Sequence, residues 1–191
     1  MIEHYLEPVV PSIASDLLRG LNGKTVARLI RYSWWPAPQV AIECGIQDDM
    51  AFSLTAGPLA IYFEDGTILG VSSDPSLNSV IVWDESARSA CQNTTTLVDD
   101  AELFSISDAG KFATASWSQF TGLPVTSVAI LKREDMNAKQ RSRPSEVGLR
   151  FSFPGGKSFI ASHGLHDNTD DFSVLEESQL LKVELDEIPI S

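Results

Sequence analysis

Two cysteines and three histidines in 191 residues leave little material for disulfide, metal or thiol chemistry. Cys44 and Cys91 form one bridge at most, and in a reducing compartment they are expected to be small buried hydrophobes. No apolar run approaches the roughly 18–20 residues of a membrane span. The opening residues, Met1-Ile2-Glu3-His4-Tyr5, lack a basic segment followed by an apolar one, so a secretory signal is not expected and the expected location is the cytoplasm. On that expectation the glycosylation pattern Asn93-Thr94-Thr95 has no meaning. Basic residues are scarce too: 14 Lys and Arg stand against 26 Asp and Glu, a formal charge of −12. Such a surface repels phosphate backbones and anionic lipid, which argues against nucleic acid and membrane as partners. It suits a basic protein partner, although solubility alone also accounts for acidity.

Motifs that would announce catalysis are missing. There is no Gly-x-Ser-x-Gly elbow and no glycine loop able to cradle phosphate. Neither cysteine sits in an active-site motif, and His4 belongs to the N-terminal segment. The carboxylate pairs Asp48-Asp49, Asp99-Asp100, Asp170-Asp171 and Glu176-Glu177 are sequence neighbours, which on a strand point to opposite faces and make no acid–base dyad. The reading is therefore of a chain without catalytic residues and without a cofactor.

What is present is a globular composition, 43% hydrophobic and 21% charged, enough to bury a core. Ile13, Leu17, Leu18 and Leu21 recur at helical spacing, predicting a short helix over Ser12 to Leu21, capped by Ser12 or Ser15 and ended by Gly23. The period then falls to two. Strands are predicted over Thr25 to Ser33, Gln39 to Cys44, Met50 to Thr55, Leu59 to Phe63, Ile68 to Val71 and Val80 to Trp83. Asp65-Gly66 marks a hairpin, since both residues tolerate positive φ. Ala87 to Asp100 reads as a loop, Leu103 to Ile106 as a short strand, and Asp108 to Thr121 as an ambiguous, partly helical stretch. Val125 to Leu131 is a strand and Lys132 to Pro144 an exposed loop. Val147 to Phe153 and Lys157 to Ser162 form a hairpin turning at Pro154-Gly155-Gly156, and strands over Phe172 to Leu175 and Leu180 to Leu185 close the chain.

Leu59 to Gly66 aligns without gaps to Leu149 to Gly156, an offset of 90 that continues by pairing Ser72 with Ser162 and Asn78 with Asn168. Upstream, Gly23-Lys24-Thr25-Val26 faces Gly122-Leu123-Pro124-Val125. The expected fold is one mainly β domain over 1–191 (α+β by strict count): antiparallel sheets from two similar hairpin-containing repeats, 18–86 and 117–176, related by a pseudo-two-fold, with one or two short helices. Hairpins of equal length also look alike without common origin.

The densest polar cluster runs from His163 to Asp171. His163 and His166, with Asp167, Asp170 and Asp171 following, could hold zinc or calcium, or simply form a hydrated turn whose Asp and Asn bond their own backbone. The spacing matches neither a metalloprotease helix nor a helix-loop-helix calcium site, so no metal is assigned. Trp83 is expected in the core. Trp34 and Trp35, adjacent on an extended segment before Pro36, cannot easily both face inward, and an exposed tryptophan suits an interface.

A glycine–valine strand start, then Glu146-Val147-Gly148-Leu149-Arg150-Phe151-Ser152-Phe153, then Gly156 through Ser162-His163-Gly164-Leu165-His166-Asp167-Asn168-Thr169-Asp170-Asp171-Phe172, resembles bacterial immunity proteins. These are encoded beside polymorphic toxins of the contact-dependent inhibition and Rhs type. The likeness is strongest over Glu146 to Leu175 and weaker over Leu18 to Trp83. It implies a small cytoplasmic protein that binds a cognate toxin domain and occludes its active site, with no catalytic motif to carry over; the net charge of −12 suits a basic one. From residue chemistry, the expected partner-binding residues are Trp35, Asp167, Asp170, Asp171, Glu176 and Glu177. Two other readings stay open. One is a non-catalytic structural or ligand-binding β module, which an open polar cleft between the repeats would favour; the other is a metal-dependent enzyme using His163 and His166.

Overall fold

The computed structural model describes residues 5–191, so His4 lies outside the described residues. The chain builds two five-stranded antiparallel sheets. The first holds β1 (Val26–Ser33), β2 (Leu59–Phe63), β3 (Ile68–Asp74), β4 (Ser79–Asp84) and β5 (Phe104–Ser107), in the order β4-β3-β2-β1-β5. The second holds β6 (Ser127–Arg133), β7 (Gly148–Phe153), β8 (Lys157–His163), β9 (Phe172–Leu175) and β10 (Leu185–Pro189), in the order β10-β6-β7-β8-β9. Short helices α1 (Ser15–Arg19), α2 (Ala37–Cys44), α3 (Ala51–Leu54), α4 (Glu85–Ser89) and α5 (Ala138–Arg141) fill the connections.

The period-two pattern places Leu29, Ile61, Leu69 and Val71 of the first sheet in one apolar interior with Val128, Ile130, Leu149, Phe151 and Phe159 of the second. Trp117 and Phe120, from a 3-10 turn over Ala115–Phe120, plug this interior. Trp117 lies 5.0 Å from Phe52 and 5.8 Å from Phe159, and its Nε1 donates to Ser53 Oγ at 3.0 Å. Each sheet also has a small outer cluster. On the first, Trp83 lies over Gly70, where a Cβ would come within 2.1 Å of the indole, and Glu85 caps the arrangement by accepting from Trp83 Nε1 at 2.5 Å and Leu97 N at 2.6 Å. On the second, Leu180, Val183 and Leu185 pack on Leu131, Val147, Ile160, Leu165 and Leu175.

The two sheets are wired alike: counting strands within each half, both run fourth, third, second, first, fifth. Gly66 and Gly156, matched by the offset, both have positive φ, as do Asn78 (50°) and Asn168 (62°). At the join, Gly23 N donates to Val125 O and Gly122 N to Val26 O, each at 2.8 Å. Such an exchange is the local reciprocity that a two-fold produces. The pseudo-two-fold relating the whole halves is not confirmed.

Several elements differ from expectation. Gln39 to Cys44 is helix α2, not strand, because Pro36 and Pro38 stand at positions where a helix start tolerates proline and Gly45 closes it in the left-handed conformation. Met50 to Thr55 is a 3-10 turn (Asp48–Met50) followed by α3. Leu180 to Leu185 is no strand: Leu181 N bonds Leu165 O, and the run covers the outer cluster, so the last strand is β10. Glu85–Ser89, partly within the expected loop, is helix α4, capped by Asp84. Helix α1 is shorter than expected and lacks a side-chain cap, with Gly20 rather than Gly23 at its end. Cys44 is exposed and Cys91 half-buried, against the expectation of burial, because α2 turns Val40 and Ala41 inward instead.

Candidate functional site

The segment joining β1 to β2 and the turn joining β8 to β9 meet at one cleft. Arg31 positions the first wall. Its neighbours Leu29 and Ser33 face inward on β1, so strand alternation drives the guanidinium inward as well, and it is wholly buried. Nη1 donates to Phe52 O at 2.7 Å and Ser53 O at 3.0 Å; Nη2 donates to Gly57 O at 3.0 Å and to Thr55 O. The cation also lies 5.0 Å from the ring centre of Phe172 on β9. Burial pulls its pKa down to about 9. One side chain thus ties the 52–57 backbone to both halves of the molecule.

The opposite wall is the turn from His163 to Phe172. Gly164 has φ 73°, and a Cβ there would stand 2.5 Å from Thr169 O, so the chain can fold back this tightly only at glycine. Leu165 anchors the turn beneath, donating its N–H to Ser162 Oγ at 3.0 Å. Thr169 donates its N–H (3.1 Å) and hydroxyl (2.7 Å) to Asp167 Oδ1. Partial burial works against ionisation of Asp167, but the Thr169 bonds win and hold its carboxyl below the ordinary value.

Between these walls lies a cleft of about 360 Å³. Glu43, Cys44, Ile46, Leu54 and Ala56 line it from the first half, and His166, Asp167, Asp171, Phe172 and Ser173 from the second. Apolar Ile46, Leu54 and Phe172 share the lining with the carboxylates Glu43, Asp167 and Asp171. Among the described residues, Glu43, Asp167 and Asp171 make no ion pair with Lys or Arg. Their field is felt by Cys44, whose thiol is raised by burial and then by Asp171 and Glu43. The arrangement can hold a group that is cationic at one end and apolar along its length.

The expected contact residues divide among three places. Asp167 and Asp171 line the cleft, and Asp170 lies beside it, with Oδ1 3.8 Å from Nε2 of buried His163. Glu176 and Glu177 sit elsewhere: Glu176 caps the 3-10 turn Glu177–Gln179, and Glu177 pairs with Arg150 at 2.9 Å and accepts from Ser158 Oγ at 2.9 Å. Trp35 is 38% exposed and Trp34 52%, so both rings of the pair reach solvent, while Trp83 is core. His163 and His166 face different surroundings, since His166 Nδ1 contacts Gln179 O at 3.3 Å on the cleft rim. Among the described residues, no three His, Cys, Asp or Glu side chains form a group that could hold a metal ion. Glu43 and Arg31 were missed. The signal for Glu43 was Pro36-Ala37-Pro38, a helix start whose recognition would have placed Glu43 at the helix end.

No protein-family model, curated protein or solved structure matches this chain. Among the described residues, no helix is long and apolar enough to cross a membrane.

His163 yields a pH prediction. Burial pushes its imidazole below the ordinary 6.5, while Asp170, Asp74 and Asp171 pull the other way. The folded state therefore prefers the neutral ring, and below about pH 6.5 the unfolded chain takes up the proton more readily. Stability held above that pH is expected to fall as acidity rises through the lower, folded value. Urea midpoints measured from neutrality to about pH 5 should decline in the wild type, with a shallower slope in His163→Gln.

Proposed function

We propose that the protein is a non-catalytic binding protein of the immunity type, which neutralises a cognate, basic toxin domain in the cytoplasm by occluding its active site. The observation that carries this reading is the convergence, from both halves, of Glu43, Asp167 and Asp171, which among the described residues make no ion pair with Lys or Arg, beside apolar Ile46, Leu54 and Phe172. In such a cleft a lysine or arginine of the partner lays its aliphatic stem on Leu54, Ala56 and Phe172 and its charge against the rim. The chain's net charge of −12 would speed encounter with a basic domain.

The test is co-expression with the C-terminal domain of the protein encoded by the adjacent upstream gene, which on this reading is the toxin. Wild-type protein is expected to protect cells, and the triple variant Glu43→Lys, Asp167→Lys, Asp171→Lys to lose protection, with association slowed on the order of tenfold or more and its salt dependence flattened. Equal protection by the variant, or none by the wild type, would sink the proposal.

A second reading is a module that binds a small organic cation. It is favoured by the position of the cleft between the two halves, where carboxylates and apolar side chains share the lining. Agmatine titrated into the wild type but not into the triple variant would raise the melting temperature on this reading.

A further inference from the structure

We infer that the outer edge of β5 docks an extended, cationic segment of a partner protein as an added strand. The inference stands on residues outside the cleft. Two five-stranded sheets present four outer strands, and three of them are guarded. Strand β4 is covered by the N-terminal segment, with Val82 N donating to Val9 O at 2.8 Å and Val9 N to Val82 O at 3.0 Å, and by the chain at Glu146, whose carbonyl accepts from Val80 N at 2.9 Å. Strand β9 packs closely against α3, whereas α2 and α3 touch β5 more sparsely and leave Ser105 and Ser107 exposed. Strand β10 carries exposed Asp186 and Glu187 and ends in Pro189, the charge and proline that keep an edge from pairing. Strand β5, Phe104-Ser105-Ile106-Ser107, has no charge and no proline, and pairs only with β1.

The register shows which of its groups are open. Asp108 N donates to Leu29 O, and Leu29 with Asp108 continues the pairing of Arg31 with Ile106 and Ser33 with Phe104. Tyr32, of opposite parity, donates instead to Pro58 O on the β2 side. By strand alternation, the backbone N–H and C=O of Ser105 and Ser107 point away from β1. Both residues are exposed, and these groups have no partner among the described residues. Bulk for a docking strand lies close by. Phe104 is 43% exposed, and exposed Trp34 and Trp35 follow Ser33, its register partner.

Unpaired backbone in strand register, flanked by aromatic rings, selects an extended chain as occupant. The surrounding charge selects its sign. Exposed Asp99 and Glu102 and half-buried Asp100 precede the strand, while Asp108 after it is buried and accepts from Leu29 N. A second copy of this chain would bring a second such acidic run to the same edge, which like charge disfavours. A segment bearing Lys or Arg gains the same field.

Amide hydrogen exchange on the full chain tests the inference, with a peptide alternating lysine or arginine with valine as the probe. Exchange at Ser105 and Ser107 is expected to slow by about tenfold on binding. Ser105→Pro and Ser107→Pro each delete an outward donor while sparing the bonds to β1, and are expected to weaken the peptide about tenfold. Trp35→Ala, which removes a side chain just past the end of β1 and no ladder bond, is expected to weaken it several-fold and serves where a proline variant fails to fold. Absence of binding, protection confined to other residues, or unchanged affinity in folded proline variants would overturn it. The cleft variant Glu43→Gln, Asp167→Asn, Asp171→Asn separates the two surfaces. It should keep the β5 response even if the cleft proposal fails, and loss of that response would assign the peptide to the cleft instead.

Discussion

Replacing Arg31 by methionine is expected to lower the unfolding free energy by about 3–5 kcal/mol, read as a reduced urea midpoint. Many buried ions can be exchanged for apolar residues at little cost, because both partners of a pair are removed together. Here the partners are the main-chain carbonyls of Phe52, Ser53, Thr55 and Gly57, which no side-chain substitution can remove. Methionine would leave them without donors inside the protein, at roughly 1–3 kcal/mol for each group that water cannot reach. Arg31→Lys tests the geometry separately from the charge. An ammonium has three donors and no planar fork, so it should recover only part of the loss. On the proposed function the same variants should also weaken binding at the cleft, because the 52–57 segment carries Leu54 and Ala56 to it. A cost under about 1 kcal/mol for Arg31→Met would refute this account.

Trp117→Ala is expected to be comparably severe, about 3–5 kcal/mol. Trp117 is fully buried and touches Phe52, Phe120 and Phe159, so truncation opens a hole between the sheets that neither can close alone. Trp117→Phe keeps most of the contact area but removes the indole donor to Ser53 Oγ, and should cost about 1–2 kcal/mol. Thermal unfolding of the two variants beside the wild type would check both magnitudes. A small effect for the alanine would mean that the ring fills no essential volume.

How much of this was legible depended on whether the cause was local. Asp65-Gly66 and Pro154-Gly155-Gly156 specify turns through their own backbone preferences, so both hairpins, and the two-sheet antiparallel class with them, could be read directly. Helix α2 could not be read from alternation, because Val40 and Ile42 fit a strand period as well as they fit a helix end. The last strand was misplaced by several residues because its position is set by pairing with β6, more than fifty residues earlier. The polar run around Asp167 and Asp171 was conspicuous, but nothing in it specified Glu43 across the cleft. Nor could the sequence show that Arg150 already engages Glu177 on another face. Arg31 was hidden most completely. A charged residue on a strand reads as outward-facing, and only the carbonyls arriving from the following segment make an inward cation tolerable.

The segregation of the sheets by chain half has a consequence during synthesis. β1 to β5 all emerge from the ribosome before β6 does, so the first sheet can assemble with Leu29, Ile61, Leu69 and Val71 still bare to water. The cover for that greasy side arrives only with the second half, and the closing bond from Ile190 N to Val128 O waits until β10 has emerged. Until β6 to β10 emerge the nascent chain is a sticky half-sandwich, and a stop codon past β5 but short of β10 would send an aggregation-prone fragment to the cell's chaperones.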